Sequence, residues 1–220
     1  MEIEKATLIG SPYVGIFSVL TDKMCLLPVT ESKEKVKFIS DFFDVEIFQA
    51  NIANSALLGI FAAGNEKGLI VSNIIEDYEM EIFENAGINI MKVPEIIAVG
   101  NLAEFNDTKG FCSKIFAEET KKEIAKFLGI KIQYAEIAGS ELIGSGLVAT
   151  NKGFIINPNA SKEEFDKVSK ELDVYGTAGT ANYGDVFIGN SIIANKTGAI
   201  VGIQTSGHEL IKIDEGLRGE

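Results

Sequence analysis

The sequence predicts an α/β fold: one domain over residues 1–220, made of five ββαβ repeats of 41–45 residues and closed into a ring. Three observations lead there. A glycine, an apolar strand, a polar Asn/Asp-Lys turn and a second apolar strand recur five times along the chain. An amphipathic segment and a further short strand follow the hairpin in four copies. Finally, the last copy is as apolar as the others, with Ile192, Ile193, Ile200, Val201 and Ile203, whereas an open array needs polar caps and leaves strand edges exposed.

The spacing is regular. The anchor glycines Gly15, Gly59, Gly100, Gly144 and Gly189 stand 44, 41, 44 and 45 residues apart. The turns close at Met24, Gly68, Gly110, Gly153 and Gly198, at 44, 42, 43 and 45 residues. One such polar turn is ordinary turn chemistry, but five at one period mark repeated units. A period near 43 also suits propeller blades and helical solenoids. The chain has no Trp for a Trp-Asp blade signature, and its paired strands deny an all-helical array.

Helices are expected over Ser32–Phe43, Ile75–Ala86, Glu118–Leu128 and Ser161–Leu172. Ile124, Phe127 and Leu128 give the third a single apolar stripe, as Phe165, Val168 and Leu172 do the fourth. Ser161 with Glu164 forms a capping-box signature. Glu118–Lys122, Glu163–Lys167 and Asp166–Lys170 are spaced as pairs on the wet side. Gly87 and Gly129 stand where a glycine ends the second and third helices. Strands then start at Val45, Ile88, Ile130 and Val174. The fifth copy differs. Only Ile203–His208 separates Gly202 from Glu209-Leu210-Ile211-Lys212-Ile213, so no helix is expected in it. Residues 3–9 precede the first copy and are expected to pair with the fifth, joining the ends.

Composition narrows the function. The chain is 46% hydrophobic and 24% charged, with 4 prolines and 2 cysteines, which excludes general disorder and a disulfide scaffold. The charge-free stretch Ser55–Asn65 is far short of the roughly 20 residues that span a bilayer. Met1–Lys5 lacks the pattern of a signal peptide, so a cytoplasmic protein with reduced thiols is expected. A net charge of −12 argues against phosphate-driven nucleic-acid binding and leaves a basic protein partner open.

Catalytic readings fail on counting. His208 is the one histidine, and Cys25 and Cys112 sit in predicted apolar strands as small hydrophobes. They belong to non-adjacent repeats, so no disulfide is expected between them. No metal-ligand spacing and no complete dinucleotide fingerprint occurs, so neither a metal nor a cofactor is expected. The run Glu76, Asp77, Glu79, Glu81, Glu84 reads as a solvated helix face. More suggestive are the weakly charged loops Ala50–Ser55, Ala98–Asn101, Gly139–Gly146 and Gly176–Asn190. Symmetry gathers them on one end of the ring, either as tight-turn chemistry or as an uncharged docking surface. Asn101 and Asn190 share one repeat position.

These units resemble the initiation factor six family of ribosome anti-association factors. The matching pieces are Gly15-Ile16-Phe17 with Thr21-Asp22, Leu57-Leu58-Gly59 with Gly64–Val71, and Ala98-Val99-Gly100-Asn101 with Asn106-Asp107. Gly144-Ser145 with Asn151–Phe154, and Gly176-Thr177-Ala178 with Asn182-Tyr183-Gly184, continue the series. Their order spans essentially the whole chain. The end at Glu220, without the tail of eukaryotic members, resembles the archaeal form. The resemblance implies the pentein fold, a five-fold pseudosymmetric ring. It implies a non-enzymatic role: binding the large ribosomal subunit on its intersubunit face and blocking the small subunit sterically, in initiation or in subunit maturation. The main contact would be a ribosomal protein near the sarcin–ricin loop. Such proteins are generally basic, which suits the charge. Asn101 matches an asparagine of the family's ribosome-facing region. A monomer is expected, with no membrane and no sequence-specific nucleic acid as partner. The alternatives are a guanidine-modifying enzyme of the same fold and a repeat scaffold for another partner.

Overall fold

A computed structural model describes residues 1–219. It is an α/β structure of five three-stranded sheets. The first strand, β1, covers Glu2–Ala6. The first unit then runs β2 (Val19–Leu20), β3 (Met24–Pro28), α1 (Lys33–Phe43) and β4 (Glu46–Ala50). The second unit runs α2 (Leu58–Phe61), β5 (Ala62–Asn65), β6 (Gly68–Val71), α3 (Asp77–Asn85) and β7 (Ile90–Lys92). In the third are α4 (Val99–Leu102), β8 (Ala103–Phe105), β9 (Lys109–Cys112), α5 (Glu118–Leu128) and β10 (Lys131–Tyr134). The fourth has α6 (Ile143–Gly146), β11 (Leu147–Ala149), β12 (Gly153–Ile156), α7 (Lys162–Leu172) and β13 (Tyr175–Ala178). The fifth has β14 (Ile192–Ala194), β15 (Gly198–Gly202) and α8 (Gly207–Arg218). Single 3-10 turns, Val14–Ile16 and Ile188–Asn190, replace the short helix in the first and fifth units.

Every sheet has the same order. The first strand of the hairpin is antiparallel to the second, and the strand after the helix is parallel to the second. In the fifth sheet the parallel strand is β1, whose Glu2–Ala6 pair with Gly198–Gly202. This is the pairing expected of the segment that precedes the first copy.

The helices start where the sequence says they should. Ser32 and Ser161 accept from the amides of Lys35 and Glu164. Gly129 ends α5 at φ 64°, a conformation that costs glycine little. Of the three spaced pairs only Glu118–Lys122 forms, at 3.9 Å. Lys167 donates instead to the carbonyl of Tyr134, and among the described residues no ion pair joins Asp166 to Lys170.

The fifth unit corrects an expectation, because it has a full helix. Ser206 and Glu209 form a capping box, and Ile213 and Leu217 supply a fully buried stripe. The alternating Glu209-Leu210-Ile211-Lys212-Ile213 hides this by imitating a strand. No strand is needed there, because β1 already fills the third place in the sheet.

The core is divided among the units, and each part is finished by a neighbour. Val19 and Leu26 of the first unit enter the core of the second, and Ile70 of the second enters that of the third. Phe111 enters the fourth core, and Val148 and Ile155 the fifth. Ile193 and Ile200 of the fifth unit enter the core of the first, so the pattern is cyclic. Phe111 is fully buried this way, a transfer of about 2 kcal/mol. No unit completes its core alone.

Candidate functional site

The inner strands β2, β5, β8, β11 and β14 line a central cavity of about 110 Å³. At one end it is bounded by Gly15, Gly59, Gly100, Gly144 and Gly189. These glycines form a collar. A Cβ on each would overlap the carbonyl oxygen of the preceding one, and a Cβ on Gly15 would overlap that of Gly189. Backbone meets backbone at every step, which explains why the repeat keeps a glycine there.

The other end is formed by the hairpin turns, with Asp22, Asn65, Asp107, Asn151 and Asn195. Side chains here reach from turn to turn. The amide of Glu66 donates to Asp107 at 3.1 Å, that of Asp107 to Asn151 at 3.1 Å, and that of Lys196 to Asp22 at 3.0 Å. The Asn151 amide group donates to both Asp22 and Asp107. Lys23 pairs with Glu66 at 3.1 Å. This end is polar, charged and internally satisfied.

The glycine end has a different chemistry. The second strand of each unit runs from the turn end toward it, so the long helices begin there. Tight turns at 8–11, 52–55, 137–140 and 181–185 lie on the same end, ahead of the collar. Several of their residues take positive φ, including Ala53, Asn54, Ala138, Gly139 and Tyr183. Helix-borne carboxylates hold these turns. Glu79 accepts from the amides of Ala53 and Asn54 at 2.7 and 2.8 Å. Glu164 accepts from Ala138 and Gly139, and Glu209 from Tyr183 and Gly184. In the first unit Glu31 accepts from Ile9. Burial alone would raise the Glu209 carboxyl. The amides of Ser206 and Gly184 and the hydroxyl of Thr180 outweigh burial and hold it down to about 2. Glu164 is likewise held below its ordinary value, against burial, by the amides of Gly139, Ser161 and Ala138.

The third unit reverses this arrangement. Glu95 stands in the loop itself and accepts from the Ala117 amide and the Thr120 hydroxyl at the start of α5. The adjacent Ile96 projects outward, 75% exposed.

With their charges engaged internally, the loops present apolar side chains. The residue just before each collar glycine is fully buried: Val14, Leu58, Val99, Ile143 and Ile188. The residue before that one faces outward: Tyr13, Leu57, Leu142 and Phe187, with the small Ala98 in the third unit. Ile9, Ile96 and Tyr183 add to this face, Tyr183 being 80% exposed. Sequence reasoning found the loops but not this row. The signal was available, as a large apolar residue two positions ahead of four of the five anchor glycines.

Asn101 lies in α4, next to collar residue Gly100. Its backbone amide donates to the Ala98 carbonyl at 3.0 Å. Its side chain has no hydrogen bond among the described residues, and the same holds for Asn190 at the equivalent position. Neither amide group braces its own turn. Ala98–Asn101 is mostly helix, whereas the other weakly charged segments supply the tight turns.

The candidate nucleophiles are not brought together. Cys25 and Cys112 are buried free thiols in different core clusters, and burial pushes each up to about 12. His208 is exposed near the start of α8. Among the described residues no group of His, Cys, Asp and Glu could hold a metal ion, and no helix is long and apolar enough to cross a membrane.

Comparison with known proteins finds matches over nearly the whole chain. The model of the eIF-6 family matches residues 3–216. A protein of Pyrococcus abyssi named Translation initiation factor 6 is 36% identical, with 99% of each chain covered. Its namesake from Pyrococcus furiosus is also 36% identical over 99% of each chain, and that of Methanocaldococcus jannaschii is 33% identical over 94% of each. This chain, with its five sheets and glycine collar, belongs to the eIF-6 family.

Proposed function

We propose that this protein acts in translation by binding the large ribosomal subunit on its intersubunit face, where it blocks the small subunit sterically. The reading serves initiation, maturation of the large subunit, or both. On this reading the chain is a single-domain pentein, a closed ring of five units, working as a cytoplasmic monomer without catalysis or cofactor. The observation that carries it is the glycine end: exposed Tyr13, Leu57, Leu142, Phe187 and Tyr183 surround a rim on which Asn101 and Asn190 have unused amide groups. Apolar and aromatic anchors beside satisfied polar groups are the composition of a protein–protein contact. The partner on this reading is a basic ribosomal protein near the sarcin–ricin loop, drawn by a chain of net charge −12.

The test is sedimentation. Purified large subunits should carry the protein down the gradient, and small subunits should not. Preloaded large subunits should fail to join small subunits. Joining that proceeds normally with the protein bound would overturn the blocking mechanism. Absence from the large-subunit fraction would overturn the partner.

A further inference from the structure

The central cavity holds one feature that docking does not use. In the inner strands, Val19, Ala63, Val148 and Ile193 occupy one repeat position, facing Leu26, Ile70, Ile155 and Ile200 across their hairpins. Val19, Val148 and Ile193 are buried there and pack into the core of the next unit. In the third unit the position is Glu104, facing Phe111. A carboxyl thus stands where the other units place an apolar side chain. It also crosses a boundary: Glu104 Oε1 accepts from the Ala149 amide of β11 at 2.7 Å, joining the third unit to the fourth.

No cation answers it. The other residues lining the cavity are glycine, alanine, serine and large apolar residues, with none titratable among the described residues. At the turn end of the channel the titratable lining residues are Asp22 and Asp107, each engaged with Asn151. Lys196 and Lys23 are paired with Asp22 and Glu66. Glu104 is half-buried in this channel, and a carboxylate with little water and no counter-charge is costly, so the usual remedy is to keep the proton. A divalent cation needs six or more oxygens and finds one carboxyl here.

We propose that Glu104 is a proton switch at the seam between the third and fourth units: it keeps its proton at neutral pH, and ionising it leaves an unanswered charge in the channel that weakens the fold. Burial raises this carboxyl to about 8 although the Ala149 amide pulls it down. Between its ordinary value of 4.5 and about 8, the folded protein holds a proton that the unfolded chain has released. Stability from this group is therefore greatest at low pH, falls as pH rises through that window, and is level above it.

Two measurements test this. Carbon-13 NMR of the Glu104 carboxyl should titrate with a midpoint near 8, and a midpoint in the ordinary carboxylate range would overturn the proposal. Glu104→Gln keeps an oxygen for the Ala149 amide but cannot ionise. Its melting temperature should exceed that of the parent by a margin that widens as pH rises from about 4.5 and levels off above about 8. A margin independent of pH would overturn it. A midpoint that drops on adding potassium or magnesium would do so too, since a cation and not a proton would then neutralise the carboxyl.

Discussion

The glycine collar and the tight turns just outside it are a few residues apart in each unit, yet they tolerate variation differently. The collar repeats the same residue five times, at Gly15, Gly59, Gly100, Gly144 and Gly189. The turns keep a common role, but the carboxylate that secures them comes from inside the helix in three units. It comes from just before the helix in the first unit, and from the loop itself in the third. The collar is a contact between main chains, and a side chain of any kind collides with a carbonyl. The turns are contacts between a carboxylate and main-chain amides. Either partner can supply the charge, because helix N-termini and tight turns both offer unpaired N–H groups. Repetition is strict where geometry leaves one solution and loose where it leaves two.

The collar side of this comparison gives the largest expected effect. Gly144→Ala would drive a methyl into the Gly100 carbonyl, with the Ala103 carbonyl 2.6 Å away on the same side. Both obstacles are backbone, so the cost should exceed about 3 kcal/mol, the range of overpacking without relief. The expected result in a denaturant titration is a lost or strongly shifted transition. A variant within about 0.5 kcal/mol of the parent would mean that the collar opens freely and that its glycines are not sterically required.

The turns should be more forgiving, and unequally so. Glu209→Ala removes a capping-box partner, two turn amides and a Thr180 contact together, so a loss of about 3 kcal/mol is expected. Because the folded carboxyl lies near 2, below its ordinary 4.5, its contribution is present above about 4.5 and lost as pH falls toward 2. The gap between parent and variant should therefore close on acidification. Glu95→Ala removes one amide and one hydroxyl contact at the start of α5 and should cost about 1 kcal/mol. Equal losses for the two variants, measured by denaturation at neutral pH, would erase the distinction drawn between the third unit and the fifth.

Much of this was legible in the sequence, for identifiable reasons. The helix α5 was readable to the residue because Ile124 and Leu128 face inward and Gly129 takes the left-handed turn. The collar was readable as a period. The helix α8 was not, because Glu209–Ile213 alternate like a strand while the capping residues Ser206 and Glu209 start a helix. That the closing strand comes from Glu2–Ala6 was open to reasoning about edges, but its consequence, freeing the last segment to be helical, was not drawn from it. The reversed polarity at Glu95 is invisible to pattern reading, since an Ala N-cap and a distant loop glutamate reveal themselves as partners only in three dimensions. Glu104 was hidden similarly: one charge in a strand looks like a solvent-facing residue until its register with Phe111 turns it toward the channel.

The smallest effect on stability, and the sharpest test of what the rim is for, is expected at Asn101. In the repeat frame its neighbours are Ile16, Ile60, Ser145 and Asn190, and Ser145 is 4% exposed. A residue that braced the collar would have internal partners, as the turn asparagines do: Asn106 reaches the Thr150 carbonyl at 3.2 Å, and Asn65 that of Leu128 at 3.2 Å. The Asn101 side chain has none among the described residues. Nothing inside the chain is stranded when it is shortened, so Asn101→Ser should change stability by less than about 0.5 kcal/mol. An amide carries two donors and an acceptor, and serine cannot reach as far. If the rim docks on the large subunit, partner groups lose their bonds and affinity should fall by about 1–3 kcal/mol, roughly tenfold or more. A binding titration on purified large subunits beside a melting curve separates the outcomes. Weaker binding at constant melting temperature places Asn101 in the contact. A lowered melting temperature with unchanged binding would return it to the fold, and the docking surface would then rest on the apolar row of Tyr13, Leu57, Leu142 and Phe187 alone.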